Sequence, residues 1–402
     1  MPPSTQAASR SAVGRACRSC GGAAIYRPRS NGLGCRYCDH VEPIEVPPAF
    51  RAADYDLTAG LAAAHRGPAT EIAQGGREIQ CKTCGARAVV TGQATRCVFC
   101  DAPMVVEIQA APDQIIPETI LPFVVDHDDA GGAFAKWMAS RWFAPNDLVK
   151  RAQKQALDGI YLPYWTYDSA TTTDYTGQRG DDYTETEHYT DASGKRQTRS
   201  VTRTRWRSAS GTVHVPFDDV LVCASQSVPE QLVDKLEPWN LAVLRPFDDR
   251  YLAGFSAERY AVDLEAGFER AKQKMNPVIR HAIHRDIGGD HQRISSMDVR
   301  YDHNRWRHTL FPLWISAFRY HDKIYRVTVN AQTGEVAGER PWSVFKITLL
   351  VIVILAAIIG GVVLYQKYKK PQPTAALIER TEPVVAGPPF GAASVLRRDQ
   401  LV

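Results

Sequence analysis

Four Cys-x-x-Cys pairs lie within the first 100 residues, and they constrain the fold of this chain more than any other feature. Within each half of the set the two pairs are close together, with 14 residues between the first two and 12 between the second two. Two such turns can complete the tetrahedral four-sulfur shell that structural zinc prefers. The sequence therefore predicts two structural zinc ions. The predicted ligands are Cys17, Cys20, Cys35, Cys38, Cys81, Cys84, Cys97 and Cys100.

The segments between the paired cysteines have the pattern of a β-hairpin. Both "AAIYRPRSNGLG" and "ARAVVTGQATR" favour a strand, a turn and a second strand. Gly21 and Gly85 follow Cys-x-x-Cys pairs and can adopt the positive φ that a tight metal-binding turn favours. The sequence predicts two small β zinc ribbons, over residues 15–42 and 78–108. A closed four-sulfur shell leaves no position for water, so these ions are expected to stabilise the local fold only.

Disulfides and a redox Cys-x-x-Cys motif are the competing interpretations of these thiols. Disulfides need an oxidising compartment, and residues 1–30 contain no apolar segment of the kind found in a signal peptide. A thioredoxin-like motif would lie in a βαβ pattern, which we do not find around these cysteines. The ninth cysteine, Cys223, lies in the apolar run "VLVCAS" and is expected to be a buried structural thiol.

An uncharged apolar run near the C-terminus predicts a transmembrane helix over residues 347–365. Ile347–Leu364 contains 18 residues, which at about 1.5 Å each matches the hydrocarbon core of a bilayer. Trp342 precedes the run, and tyrosines and lysines follow it, as interfacial anchors do. We therefore expect a single-pass membrane protein.

The sequence indicates the span more clearly than it indicates the orientation of the span in the membrane. Arg340 and Lys346 lie before the run, whereas Lys367, Lys369, Lys370 and Arg380 lie after it. The positive-inside rule alone would place the C-terminus in the cytoplasm. Eight metal-binding thiols and the missing signal peptide favour the opposite arrangement, and we expect the ribbons to be cytoplasmic.

The rest of the chain predicts a multidomain α+β protein with the ribbons at its N-terminus and one transmembrane helix near its C-terminus. Residues 1–14 are expected to be disordered, 43–77 to form a linker with a short helix, and 366–402 to form a disordered tail. Residues 112–343 are expected to form a mixed α+β domain. Within it, "AVDLEAGFERAKQKMNPVIRHAIHRDI" predicts a long helix, with Asp263 as N-cap and a kink or break at Pro277.

Residues 181–207 predict an exposed β-hairpin with complementary charges. Most of its charged side chains are at odd positions, so each set lies on one face of its strand. The acidic set is Asp181, Glu185, Glu187 and Asp191, and the basic set is Lys195, Arg199, Arg203, Arg205 and Arg207. With a turn at residues 191–195, Glu187 would lie near Arg199 and Asp181 near Arg205. The arginine-rich arm is therefore expected to be a neutralised, solvated hairpin, not a nucleic-acid surface.

Motifs that would indicate an enzyme are lacking from this sequence. We find no P-loop, no G-x-S-x-G elbow and no H-E-x-x-H motif. The chain is therefore not expected to be an enzyme or to take a small-molecule substrate. The net charge of +4 does not by itself indicate a nucleic-acid partner.

The first ribbon is locally basic, and this gives it candidate partner-binding residues. The candidates are Arg18, Arg27, Arg29 and Arg36. Such a cluster can meet a phosphate backbone, anionic lipid or an acidic protein. These three alternatives stay open at the level of the sequence.

Several further segments extend the pattern: "ILPFVV", "RWFAP", "GIYLPYWTYD", "YTGQRG" and "YRVTVNAQTGEVAGERPWS" leading into the apolar run. As a set, the chain resembles bacterial membrane-anchored zinc-ribbon proteins, described as transcription-factor-IIB-type and often labelled primosomal protein N′ (replication factor Y) helicase-like. The resemblance covers most of residues 15–365. It implies an adaptor at the membrane that recruits a cytosolic protein partner, in a membrane-stress or membrane-scaffold system. The alternative is a membrane-tethered, primosome-like nucleic-acid-binding protein.

Overall fold

The computed structural model describes residues 15–48, 50–64, 77–90, 96–102, 105–108, 115–143, 145, 157–320, 323–340 and 342–368. The chain divides into two units, residues 1–343 and residues 344–402. The segments predicted to be disordered, 1–14 and most of 366–402, lie outside the described residues. The described part has mixed α and β structure with cysteine clusters towards its N-terminus and one apolar C-terminal helix.

The first unit begins with a four-stranded antiparallel sheet that contains the first two cysteine pairs. Its strands lie in sequence order. Between β2 and β3 the chain passes through a 3-10 turn, Pro28–Ser30, and through Asn31, which has a φ of 44°. The strands are β1 (Arg15–Ala16), β2 (Ala23–Arg27), β3 (Gly32–Cys35) and β4 (Val41–Pro43).

A second sheet of 12 strands contains most of the remaining β structure. Its strands are β5 (Tyr55–Asp56), β6 (Arg77–Cys81), β7 (Arg87–Val90), β8 (Val105–Ile108), β9 (Thr119–Ile120), β10 (Asp158–Thr190), β11 (Arg196–Cys223), β12 (Arg245–Pro246), β13 (Ser256–Glu258), β14 (His291–Tyr320), β15 (Lys323–Asn330) and β16 (Val336–Gly338). The α-helices are α1 (Leu57–Ala64), α2 (His127–Ala139), α3 (Glu230–Asp234), α4 (Leu264–Ile287) and α5 (Val344–Tyr368). Two further 3-10 turns are Leu241–Val243 and Asp249–Leu252.

Three unusually long strands form the centre of this sheet. β10 has 33 residues and pairs antiparallel with β11 on one side and β14 on the other. At about 3.3 Å per residue, β10 extends roughly 100 Å. β14 pairs with β10 as far as the Gly180–His291 pair, so beyond that point only β10 and β11 continue as a two-stranded arm.

The arm ends in a hairpin whose charges are paired. Glu187 lies opposite Arg199, and their side chains approach to 2.7 Å. Asp181 lies opposite Arg205 in the strand register. At the turn, Asp191 accepts hydrogen bonds from the backbone N–H groups of Ser193 and Lys195. The strands extend well beyond the predicted 181–207 segment at the end away from the turn.

Helix α4 packs against the long strands through one buried face. Asp263 caps it by accepting the Ala266 N–H at 2.7 Å. The helix is continuous through Pro277, so the predicted break is absent. Pro277 is exposed, and apolar side chains continue along the buried face on both sides of it. These side chains are Leu264, Phe268, Ala271, Met275, Ile279, Ile283 and Ile287.

The close approach of α4 to the sheet depends on a glycine. A side chain at Gly267 would lie within 2.4 Å of the Tyr167 hydroxyl and 2.8 Å of Trp165. With no side chain there, Tyr167 donates to the Leu264 carbonyl and Trp165 donates to the Val262 carbonyl. Two large buried aromatic residues thus have satisfied polar groups at the start of the helix.

A second aromatic cluster joins the first ribbon to the large sheet. Phe123 stacks on Phe255 with ring centroids 4.1 Å apart, and Trp314 meets Phe123 edge-on. Tyr26 of β2 enters this cluster against Tyr251, at 5.1 Å. The Tyr26 N–H also donates to the Ala253 carbonyl. The first ribbon therefore shares its core with the rest of the first unit.

Helix α5 has no buried residue. From Ile347 to Leu364 its side chains are uncharged and, apart from Thr348, apolar, and all of them are exposed to some degree within the single chain. It is long and apolar enough to cross a membrane, and its bounds exceed the predicted 347–365 by a few residues at each end.

The packing of α4 can be tested with two adjacent residues. Ile279 is fully buried against the sheet, whereas Val278 is 50% exposed. Ile279→Ala should lower the free energy of unfolding by about 2–5 kcal/mol because it leaves a cavity. Val278→Ala should change it by less than about 0.5 kcal/mol. Thermal unfolding of the full chain in detergent would measure both, and equal effects would contradict this packing.

Candidate metal centres

The structure brings the eight predicted cysteines together in two groups of four. Within each group all four sulfurs lie within 4.8 Å of one another. In the first group the closest pairs are Cys20 with Cys35 at 3.5 Å and Cys17 with Cys38 at 3.7 Å. A tetrahedral ion with metal–sulfur bonds of about 2.3 Å places its sulfurs about 3.8 Å apart. The spacing of the donors therefore fits a single tetrahedral ion.

The second group has the same geometry. Cys81 and Cys100 have sulfurs 3.6 Å apart, and Cys84 and Cys97 have sulfurs 3.7 Å apart. Three of its members, Cys81, Cys97 and Cys100, are buried. Each group can hold one metal ion, and its four thiolates would complete the coordination of that ion.

All four Cys-x-x-Cys turns share one backbone hydrogen bond. The N–H of the first cysteine donates to the carbonyl five residues later, at 2.6–2.9 Å in each case. The residue after the second cysteine has a positive φ in every turn. These residues are Gly21 (74°), Asp39 (54°), Gly85 (77°) and Asp101 (56°). Four equivalent turns thus present their sulfurs in the same way.

Sequence reasoning identified only the two glycines among these positions. Asp39 and Asp101 adopt the left-handed conformation that aspartate tolerates better than most residues. The signal that could have revealed them is their position directly after a second Cys-x-x-Cys cysteine, which matches that of Gly21 and Gly85.

Backbone N–H groups donate to several of the sulfurs and favour their thiolate form. Ser19, Gly22, Tyr37 and Thr83 donate at 3.4 Å to sulfurs of their own turns. The Tyr37 N–H is the main cause that lowers the pKa of Cys35 to about 6. Metal ions bind the thiolate, so this donor favours metal binding by Cys35. Although the Gly22 N–H lowers the pKa of Cys20, the neighbouring thiols of Cys38 and Cys35 raise that pKa to about 12.

The second ribbon is continuous with the large sheet. Val89 of β7 pairs with Ala257 of β13. Arg326 of β15 donates to the carbonyl of the buried Phe99 at 2.8 Å. These contacts fix the second cysteine group against the core of the first unit.

The four arginines proposed for partner binding make different contacts. Arg29 pairs with Asp126 at 2.5 Å and with Asp129 at 3.1 Å, and both acids belong to the start of α2. Arg27 donates to the Cys35 carbonyl, and Arg18 pairs with Glu42 at 3.2 Å. Arg36 is exposed beside Tyr37, which is itself 77% exposed. The structure therefore does not present the four as one uncompensated basic patch.

The remaining cysteine is separate from both groups. Cys223 is buried at the end of β11, and burial raises its pKa to about 12. Such a thiol stays protonated at neutral pH and is a poor nucleophile. Among the described residues, the two cysteine groups are the sets of side chains close enough to ligate a metal through at least three donors.

Comparisons with known proteins identify a relative, and its name states no activity. A protein of Bacillus subtilis (strain 168) named "Uncharacterized protein YdjG" is 27% identical over 271 residues. The similarity covers 61% of this chain and 73% of that protein. No family model matches the chain. No solved structure matches it.

The two metal centres can be counted separately. Cys35→Ser and Cys97→Ser should each lower the bound metal from about two ions to one per chain, because each removes one of four ligands. Cys223→Ala is the matched control and should retain both ions. Elemental analysis of the purified full-length protein would measure this. Retention of both ions in either serine variant would contradict the assignment of that cysteine group.

Proposed function

We propose that this protein is a non-enzymatic, single-pass membrane adaptor whose first zinc ribbon recruits a cytosolic protein partner. The observation that carries the proposal is the combination of two closed four-sulfur groups with a long apolar helix, none of whose residues is buried. Closed shells bind structural metal and offer no position for a substrate.

Zinc is the metal we assign to both groups. Four thiolates at tetrahedral spacing suit zinc, which prefers this shell in structural sites. Elemental analysis of the wild-type protein should therefore find zinc in place of iron.

Membrane anchoring explains the surface of α5. A helix with apolar side chains on every side is stable in lipid, whereas in water it would expose an unusually large apolar area. Trp342 before the helix and Tyr365, Lys367 and Tyr368 at its end would lie at the two interfaces. We infer that the first unit is on the cytosolic side, where thiols stay reduced.

We assign partner binding to the exposed turn of the first ribbon between Cys35 and Cys38. Tyr37 lies between the ligands Cys35 and Cys38, so metal binding fixes its backbone. Exposed aromatic residues and arginines on rigid supports are typical anchors of protein interfaces. Arg36 adjoins it, and the other arginines of the ribbon have acidic or carbonyl partners. This distribution favours a protein partner over a phosphate backbone, which needs several available cations.

The orientation of the membrane helix can be measured with a protease. A cleavable tag placed after Val402 should be removed when protease is added to the outside of intact spheroplasts. A second tag in the arm turn, after Ser193, should be protected until the cells are lysed. Protection of the C-terminal tag together with cleavage of the arm tag would reverse the proposed orientation. Extraction of the protein by salt alone would contradict the span.

If the protein is an adaptor, it should capture a partner protein, and this capture should depend on Tyr37. Full-length protein would be purified from gently solubilised membranes, with and without nuclease. A partner should survive nuclease, and Tyr37→Ala should lower its recovery by about tenfold or more, as expected for an interface anchor. Loss should also follow Cys17→Ser/Cys20→Ser, which removes the metal.

Tyr189→Ala is the matched control for this experiment because Tyr189 is also exposed but lies on the arm. It should leave recovery unchanged. Captured DNA or RNA that disappears with nuclease would instead support the alternative of a membrane-tethered nucleic-acid-binding protein. Equal recovery by the Tyr37 and Tyr189 variants would contradict the assigned surface.

A further inference from the structure

A cavity of about 360 Å³ lies in the first unit, between the end of α2, the end of α3 and strand β16. Its lining includes three cations, Arg141, Lys235 and Arg340, and a single acid, Glu335. Such a cavity is large enough for a phosphate group with several attached atoms. Its excess of positive charge favours an anionic occupant.

The three cations of this cavity have no ion-pair partner within the described part of the chain. The Nε atom of Arg141 is buried and makes no hydrogen bond. A buried N–H donor that lacks an acceptor is costly, and an anionic ligand in the cavity could supply one.

Aromatic rings hold two of these guanidinium groups in place. Arg141 lies 4.7 Å from the centroid of Trp137, and Arg340 lies 4.4 Å from that of Trp342. Ring contacts use the face of a guanidinium and leave its N–H groups at the edge able to donate. Gly338 permits the approach of Trp137, because a side chain there would come within 2.7 Å of the ring.

Exposed aromatic residues adjoin the cavity lining along the chain. Trp142 is 63% exposed and Trp342 is 58% exposed. Phe143 lies between them, with ring centroids 5.0 Å from Trp142 and 6.1 Å from Trp342. The Ser343 N–H donates to the Phe143 carbonyl at 2.8 Å. Tryptophan rings are amphipathic and are enriched at the headgroup level of membranes.

One member of this cluster, Trp342, is close in sequence to the start of α5. Trp342 precedes Val344, the first residue of α5, by two residues, which span at most about 7 Å. If α5 enters a bilayer, Trp342 must therefore lie near its surface. This step rests on the membrane anchoring proposed above.

From these contacts we propose that Arg141, Lys235 and Arg340 bind the phosphate headgroup of an acidic phospholipid. The anion would satisfy the donors of the cavity, and Trp142, Phe143 and Trp342 would lie among the neighbouring lipids. A lipid is favoured over free phosphate because the aromatic cluster and the apolar helix adjoin the cationic lining along the chain. The bound lipid would orient the first unit on the membrane in addition to tethering it.

Native mass spectrometry of the full-length protein in lipid nanodiscs would test this proposal. The discs would contain phosphatidylcholine and phosphatidylglycerol in equal amounts, and the phosphatidylglycerol retained by the released protein would be counted. Each basic group near an anionic surface strengthens binding by about fivefold. Arg141→Gln/Arg340→Gln should therefore weaken retention by about 25-fold, and Lys235→Gln alone by about fivefold.

The matched control is Arg285→Gln/Arg305→Gln, which removes the same charge from exposed positions outside the cavity. It should retain phosphatidylglycerol like the wild type. Two bound metal ions per chain would show that each variant is folded. If the double variant does not fold, Lys235→Gln alone still tests the proposal.

Three outcomes would overturn the proposal in distinguishable ways. Failure of the wild-type protein to enter nanodiscs would refute the membrane anchoring and with it this site. Entry with equal lipid retention by wild type and cavity variants would refute the lipid site alone. Displacement of phosphatidylglycerol by millimolar inorganic phosphate would identify a free-phosphate site in place of a lipid site.

Discussion

The antiparallel pairing of β10 with β14 is the interaction on which the rest of the first unit depends. It joins residues such as Ile160 and Leu313, which are far apart in sequence. Short strands then attach to this ladder: β13 to β10, and β5, β9 and β15 to β14. Helix α4 covers one face of it through Ile279 and its buried neighbours. Closing so long a loop has an entropic cost that only the completed sheet offsets, so we expect this pairing to form late in folding.

Local features of this fold could be predicted from the sequence, whereas non-local ones could not. The cap at Asp263 and the pairing of Glu187 with Arg199 follow from spacing within one short segment, and the structure has both. The metal ligands also follow from local spacing. The length of β10 could not be predicted, because Gly177 and Gly180 lie within it and glycine is more typical of turns than of strand interiors. Both glycines instead relieve crowding, since a side chain would meet the Arg293 carbonyl at 2.3 Å at the first and Thr204 at 2.8 Å at the second.

Buried ion pairs connect segments that no sequence pattern relates. Arg259 pairs with Glu78 of the second ribbon, and each side chain is almost fully buried. The buried Arg307 of β14 pairs with the partly exposed Asp54 at 2.8 Å and Asp219 at 2.7 Å. Pairs with buried charges add little net stability because a buried charge loses its water, but a wrong pairing leaves a buried charge without a partner. We infer that they select the positions of the segments that precede and follow the long strands.

Removal of metal from the two cysteine groups should unfold different amounts of the surrounding structure. The first belongs to a separate sheet that meets the core through Tyr26 and through ion pairs of Arg15, Arg29 and Glu42. Its unfolding would open the aromatic cluster but leave the 12-stranded sheet paired. The second adjoins strands of that sheet, since Cys81 is in β6 and β6 pairs with β7, which pairs directly with β13. Its unfolding would remove those strands and expose a new sheet edge, which favours aggregation. A metal ion in the second group would therefore stabilise the core itself, whereas one in the first group would stabilise a separate sheet on which Tyr37 is exposed.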